Sequence, residues 1–339
     1  METKRWNAND DDSTVTAAAK MLQDGKTVAF PTETVYGLGA DATNPAAVDK
    51  IFQAKGRPQD NPLIAHVATK EQLLRLVKDV PVYVEKLLDA FSPGPLTYVL
   101  KTSGVCAANV TAGLDSIGVR MPGHPVAQAL LKTCDLPIAA PSANVSGKPS
   151  PTLADHVWED LNGKISGLLD GGPTGYGVES TVIDCTGDIP VILRPGGVTK
   201  EQLLQVVEQV ITDPALKNSR EKPKAPGMKY RHYAPEVPLW LVYGTTQTIQ
   251  EVVDSLQASG QRAGLLVGNQ TASSIHCAEK ILLGSNPAEV AAHLYDGLRT
   301  FKTGSVDVIV AEAFSEEGIG QAIMNRLKKA ATKEIHSAE

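Results

Sequence analysis

The chain has 339 residues, long enough for two domains of ordinary size that each bury a core. Its 32 basic and 38 acidic residues leave a net charge of −6, so bulk electrostatics does not favour nucleic acid and any RNA contact needs a local basic patch. Met1 to Asp12 carries Asp10-Asp11-Asp12 and no apolar core, which argues against a signal peptide, and no apolar run nears the roughly 20 residues that span a bilayer. A cytoplasmic location is the expectation. Cys106, Cys134, Cys185 and Cys277 are far apart, with no Cys-x-x-Cys and no neighbouring histidine cluster. They read as small buried hydrophobes, not as a zinc site or a disulfide framework.

In chain order, Ser13 or Thr14 can cap a first helix that runs through Leu22 and ends near Gly25. Lys26 to Phe30 is a short apolar run, a buried strand, and it feeds a loop from Pro31 to Gly39 rich in hydroxyls, with one carboxylate and two glycines. Asn44 then reads as an N-cap and Pro45 as the first helical residue, with Ala46, Val48, Ile51 and Phe52 on the apolar face. Gly56 can end that helix in a left-handed conformation, and Pro58 biases Arg57 toward extended geometry. If the segment is extended, Lys55 and Arg57 point the same way and can present two cations to a polyphosphate.

Pro62 to Ala68 predicts a second strand, Thr69-Lys70-Glu71-Gln72 a capping box and helix, and Pro81 to Phe91 a further helix. Ser92-Pro93-Gly94-Pro95 forces a turn before a strand at Leu96 to Leu100. Strands are predicted at Ile117 to Met121, Pro137 to Ala140, Ile165 to Leu169, Thr181 to Cys185 and Val191 to Leu193, with helices at Pro125 to Lys132 and Leu153 to Leu161. A last helix opens at Thr199 and Gln202 and runs through Ile211. The class is α/β, with a large twisted mixed sheet over residues 1–211.

Prolines crowd into residues 212–238, the mark of a linker, although Pro226-Gly227-Met228-Lys229-Tyr230-Arg231-His232-Tyr233 is richer in aromatic and basic groups than a spacer needs. Residues 239–339 alternate predicted strands (Leu239 to Tyr243, Ala263 to Val267, Ile275 to Leu283, Val306 to Ala311) with helices (Thr248 to Ala258, Asn286 to Phe301, Ile319 to Thr332). That order predicts a smaller, doubly wound, Rossmann-like α/β domain.

Several separated motifs occur together: Pro31-Thr32-Glu33-Thr34-Val35-Tyr36-Gly37-Leu38, Lys55-Gly56-Arg57, Asn61-Pro62-Leu63-Ile64-Ala65-His66, Ser116 to Arg120, Ala140-Pro141-Ser142-Ala143-Asn144 and Glu179-Ser180-Thr181-Val182. In that order they resemble the threonylcarbamoyl-AMP synthase family, the YrdC-like enzymes of tRNA modification, in the long form with an appended C-terminal domain. The resemblance implies a YrdC-like catalytic domain and condensation of L-threonine, bicarbonate or CO2 and ATP to threonylcarbamoyl-AMP and pyrophosphate. It also implies, downstream, proteins that transfer the threonylcarbamoyl group to tRNA beside the anticodon, and possible contact with tRNA itself.

Carried over position by position, the resemblance implies a signature tetrad of Lys55, Arg57, Ser142 and Asn144. It implies a threonine site at Thr34, His66, Arg120, Ala140 and Ser180, the alanine through its backbone, and an ATP site at Arg57, Asn61, Ser116, Ser142, Ser150, Arg194 and Tyr233. Magnesium is implied by the polyphosphate substrate, its ligands unassigned. Residues 226–233 are expected to reach back to the nucleotide as a lid. Such a transfer needs cations on the triphosphate, in-line positioning and exclusion of water, and no covalent nucleophile.

Taken singly, these residues suit blander roles: exposed cations, a hydrogen-bonded structural histidine at position 66, and turns at Ser142 to Gly147. Gly37-Leu38-Gly39-Ala40-Asp41-Ala42 loosely matches a dinucleotide fingerprint, but the helix starts too late, at Asn44-Pro45. Gly25-Lys26-Thr27 and Gly147-Lys148 lack the upstream glycine of a phosphate-cradling Walker loop. A hydrogenase-maturing carbamoyltransferase module requires zinc-binding cysteine pairs that this sequence lacks. The rival that stands is a non-catalytic module of the same fold that binds double-stranded RNA or tRNA, with steep salt dependence and no turnover.

Overall fold

The computed structural model describes residues 2–8, 12–216 and 232–336, and all statements of absence or number below concern those residues. The chain divides into two compact units, Met1–Ser146 with Pro151–Gly175 and Glu179–Tyr230, and Gly147–Ser150 with Tyr176–Val178 and Arg231–Glu339. Most of the segment read as a linker, residues 217–231, lies outside the described residues, and with it nearly all of the expected lid.

The first unit is built on a large mixed sheet. Its strands run Lys4–Asn7, Gly167–Asp170, Val28–Phe30, Gly37–Asp41, Ile138–Ala139, Ile64–His66, Ser116–Arg120, Leu96–Thr102, Thr181–Asp184, Val191–Arg194 and Ile211–Thr212, with Val77–Lys78 paired onto Leu96–Thr102. The strands are short, and Val28–Phe30, Gly37–Asp41 and Ile64–His66 are buried throughout. Covered strands such as Val28–Phe30 and Ile64–His66 read as plain apolar runs, which is why they were legible without any alternation.

One feature departs from the expected loop. Gly37–Asp41 is itself a strand, antiparallel to Val28–Phe30 with Ala29 opposite Leu38. The loop therefore shrinks to Pro31–Tyr36, a tight connection between two buried strands. Gly39 fits there because a Cβ would stand 2.8 Å from Ile138 Cγ2 and 2.9 Å from Phe30 Cε1. Packing between neighbouring side chains, not a phosphate, thus accounts for that glycine.

The helix Pro45–Lys55 forms as its sequence signals require. Asn44 Oδ1 accepts from the Ala46 and Ala47 amides, and Gly56 closes the carboxyl end at φ 60°. Thr69 caps the helix Lys70–Leu76, but the Gln72 side chain accepts from Ala68 N instead of closing the expected box. Thr199 and Gln202 do form a complete capping box. Their helix, Lys200–Leu204, stops far short of Ile211, which instead pairs with Val191 as an edge strand.

The second unit holds an all-parallel sheet ordered Glu279–Leu282, Ala263–Val267, Val308–Glu312, Leu239–Tyr243 and Lys333–His336. The helices Thr246–Ala258, Pro287–Thr300 and Gly320–Ala330 alternate with these strands, as expected of a doubly wound domain. The closing strand Lys333–His336 and the short helix Asn269–Ala272 were not foreseen. Cys106, Cys134 and Cys185 are buried free thiols and Cys277 is half-buried. No helix among the described residues is long and apolar enough to cross a membrane.

Candidate active site

The turn Pro31–Tyr36 is organised by Thr32, whose Oγ1 accepts from the Thr34 and Val35 amides and donates to the Val35 carbonyl at 2.7 Å. Its Oγ1 also lies 2.9 Å from Thr34 Oγ1, which in turn receives Arg120 Nη1 at 3.0 Å. The same arginine donates from Nε to the Gly94 carbonyl at 3.2 Å. Two fixed acceptors therefore aim a guanidinium that is almost wholly buried. Its remaining nitrogen, Nη2, stands 2.7 Å from Glu33 Oε1.

That last contact is an ion pair without the alignment of a hydrogen bond. Neither Glu33 oxygen nor Arg120 Nη2 has a well-directed hydrogen-bond partner, although the Gly123 and Glu33 amides lie near enough to favour the carboxylate. Burial pushes the Glu33 carboxyl up, but the Arg120 charge and the nearby donors outweigh it and hold the group below the usual carboxylate range. Glu33 is thus ionised at neutral pH.

His66 ends the strand Ile64–His66 and lies opposite Arg120 in a parallel register. Its Nδ1 is 3.2 Å from the Ile64 carbonyl, the relation expected of an Nδ1–H donor. Burial, and then the charge of Arg120, lower its pKa to about 3, so the imidazole is neutral across the physiological range. The neighbouring strand Ile138–Ala139 leads into Ala140, whose amide is committed to Ile64 O at 2.9 Å. The Ala140 amide is therefore already engaged, which leaves the carbonyl as the backbone group it can offer.

Ser180 precedes the strand Thr181–Asp184 and is buried against Thr97, Oγ to Oγ1 at 2.8 Å. Arg194 donates to the Ser180 carbonyl from Nε at 3.2 Å and from Nη2 at 2.9 Å, and Nη2 also reaches Ser180 Oγ at 3.2 Å. Thr181 N bonds Pro95 O, one residue beyond the carbonyl that holds Arg120. The turn Pro93–Pro95 therefore ties the Ser180–Arg194 pair to the Arg120 cluster.

Lys55 is buried at the end of its helix, and its Nζ donates at 2.5 Å to each of the carbonyls of Ser142 and Asn144. Ser146 N returns a bond to the Lys55 carbonyl at 2.8 Å. Lys55 is helical and Gly56 left-handed, so the extended arrangement expected to align Lys55 with Arg57 does not occur. Arg57 Nη2 instead donates to the Pro62 carbonyl at 3.1 Å and the Asn61 carbonyl at 3.3 Å. Asn61 is buried, with its Oδ1 lacking a hydrogen-bond partner among the described residues.

Ser116, Gly118 and Arg120 share one face of their strand, and a Cβ at Gly118 would meet the Ile64 and Thr97 side chains at 3.4 and 3.5 Å. Four residues of strand set Ser116 roughly 13 Å from Arg120 along its axis. The structure thus gathers Thr34, His66, Ala140, Ser180, Arg120 and Arg194 through shared bonds, with Lys55, Ser142, Asn144, Arg57 and Asn61 linked as two further groups in the same unit. Ser150 and Tyr233 belong to the second unit. There Tyr233, at φ 64°, stacks on Tyr295 with centroids 5.4 Å apart and lies 5.7 Å from the Arg326 guanidinium carbon.

Comparison with known proteins gives the family of the chain. The Sua5/YciO/YrdC family model, described as "Telomere recombination", matches residues 20–196, and the threonylcarbamoyl-AMP synthase C-terminal domain model matches residues 198–332. The threonylcarbamoyl-AMP synthase of Bacillus subtilis is 49% identical over 98% of this chain and 98% of its own length. The chain belongs to the threonylcarbamoyl-AMP synthase family. The Pyrococcus abyssi threonylcarbamoyl-AMP synthase is 49% identical over 92% of both proteins. A solved structure of P. abyssi Sua5 complexed with L-threonine superposes with a TM-score of 0.93 at 45% identity, covering 99% of each chain.

Threonylcarbamoyl-AMP synthases are nucleotidyltransferase-type enzymes, which makes this chain an enzyme of that type. Within the family frame, Glu33, Gly94 and Thr97 are neighbours of the site that motif reading left without a role. Glu33 was visible only as a carboxylate between two threonines after a buried strand. Gly94 acts through a carbonyl, for which sequence carries no signal.

Proposed function

We propose that the chain condenses L-threonine, bicarbonate or CO2 and ATP into threonylcarbamoyl-AMP, releasing pyrophosphate. The observation that carries this reading is the likeness, across 99% of both chains, to a Sua5 structure described as complexed with L-threonine. The local chemistry supports it. Arg120 is a buried guanidinium whose Nη2 faces the Glu33 carboxylate without a directed hydrogen bond, suited to the substrate carboxylate in the bidentate manner a lysine cannot match. Thr34, neutral His66, the Ala140 backbone and Ser180 supply hydroxyl, ring and carbonyl groups around it.

In the proposed reaction the threonine amine becomes a carbamate, one carbamate oxygen bonds to the α-phosphorus, and the bond to the departing pyrophosphate breaks. With bicarbonate as the carbon source, one water is also released. Lys55, Arg57, Asn61, Ser116, Ser142, Ser150, Asn144, Arg194 and Tyr233 are assigned to the nucleotide. Hydroxyls, amides and cations suit phosphate oxygens, and no group of three His, Cys, Asp or Glu side chains that could hold a metal occurs among the described residues. Magnesium is assigned to the polyphosphate substrate, entering with ATP. The product would supply proteins that place threonylcarbamoyladenosine beside the tRNA anticodon, in the cytoplasm.

Mixing the purified chain with magnesium, ATP, L-threonine and bicarbonate, then omitting each in turn, tests the reading. Pyrophosphate should form only with all substrates present. Release that does not depend on threonine, or salt-sensitive tRNA binding without turnover, refutes it.

A further inference from the structure

Glu33 has no task in the reading above. Its side chain is 16% exposed, and Oε1 stands 2.7 Å from Arg120 Nη2. Arg120 does not depend on it for placement, because Nε is held by Gly94 O and Nη1 by Thr34 Oγ1. The Glu33 backbone is held as well: its carbonyl accepts from Gly175 N at 3.1 Å, and its turn is stapled by Thr32. A cation and an anion are thus mounted side by side without a directed hydrogen bond between them, the arginine held by Gly94 O and by the turn that carries the glutamate.

We propose that Glu33 receives the α-ammonium of the amino-acid substrate while Arg120 takes its carboxylate, so that the pair recognises a zwitterion. An α-amino acid carries both charges on substituents of one carbon, and a site with guanidinium alone would accept any hydroxy acid of similar shape. Burying an ammonium without an acceptor is costly, so a carboxylate beside the arginine selects for the amine. In the empty site the two side chains neutralise each other. Binding exchanges that internal pair for two pairs with the substrate and adds no net charge to a buried pocket.

This inference rests on the proposed function, and the test separates the two. Calorimetric titration of the full chain compares L-threonine with 3-hydroxybutanoate, which lacks the amine. Wild-type protein should bind L-threonine about tenfold or more tightly than the analogue. Glu33→Gln, which keeps the shape, should lose about tenfold or more for L-threonine, while the analogue, which no longer strands a buried carboxylate, should bind at least as tightly as it does to wild type. Equal wild-type affinity for both ligands overturns the inference, as does unchanged threonine binding in Glu33→Gln. Equal losses for both ligands would show that Glu33 merely positions Arg120, and also overturn it. A wild-type chain that binds no L-threonine removes the proposed function first, and the inference with it.

Discussion

His66 and Arg120 stand opposite each other across two parallel strands, and the arginine is one reason that the histidine stays uncharged. The register of one short strand pair therefore fixes both the position and the protonation state of two groups in the site. Four expected outcomes follow from this and the neighbouring contacts.

The His66 pKa falls from its ordinary 6.5 to about 3 in the folded chain. Between those values the unfolded chain binds a proton that the native state refuses, so stability drops as pH falls through that window and is unaffected above it. Thermal unfolding at pH 7 and near pH 4 should show a smaller acid-induced decrease for His66→Gln than for wild type. An equal decrease in both would mean that His66 is charged in the native state.

Arg120→Lys keeps a charge but loses the fork that reaches Gly94 O, Thr34 Oγ1 and Glu33 together. Threonine affinity should fall by at least tenfold, in line with a lost charge-assisted bond of about 1.5–3 kcal/mol. Arg120→Ala additionally strands the Glu33 charge and should destabilise the fold by about 3–5 kcal/mol. Calorimetry reads the first effect, and urea unfolding the second.

Replacing Lys55 tests a buried clasp as well as a cation. Lys55→Ala should lower turnover by about 100-fold or more if the charge serves the phosphates. The same change removes the donor that two carbonyls share. A cost of about 1–3 kcal/mol is expected for each buried group left unpaired. Normal pyrophosphate release with lowered unfolding temperature would assign Lys55 to the turn alone.

Gly196 has no room for a side chain: a Cβ would lie 2.3 Å from the Glu179 carbonyl oxygen and 2.4 Å from both Ser180 C and Thr181 N. Gly196→Ala must displace backbone around Ser180, so both stability and threonine affinity should drop. The measurement is parallel calorimetry and thermal melting, and an unchanged affinity would detach Ser180 from the substrate.

What was readable in the sequence was what local chemistry dictates. Asn44, Pro45 and Gly56 bracket a helix whatever surrounds it, and fully apolar runs such as Val28–Phe30 announce buried strands. Two kinds of information stayed hidden. Gly37–Asp41 is a strand only because Val28–Phe30 and Ile138–Ala139 flank it, a long-range condition that a glycine-rich segment does not advertise. Likewise Gln72 abandons its box for Ala68 N, and Ile211 leaves its helix for Val191, each drawn away by a tertiary partner. At the site, the Gly94 carbonyl that aims Arg120 and the carbonyls that hold Lys55 have no signature in residue identity.

The clasp at Lys55 also bears on movement. Its ammonium grips the carbonyls of Ser142 and Asn144 while its own carbonyl is gripped by Ser146 N. A segment sewn to a helix end at three points travels with that helix, so any rearrangement that accompanies nucleotide entry must carry Pro45–Lys55 and Ser142–Ser146 together as a single rigid body.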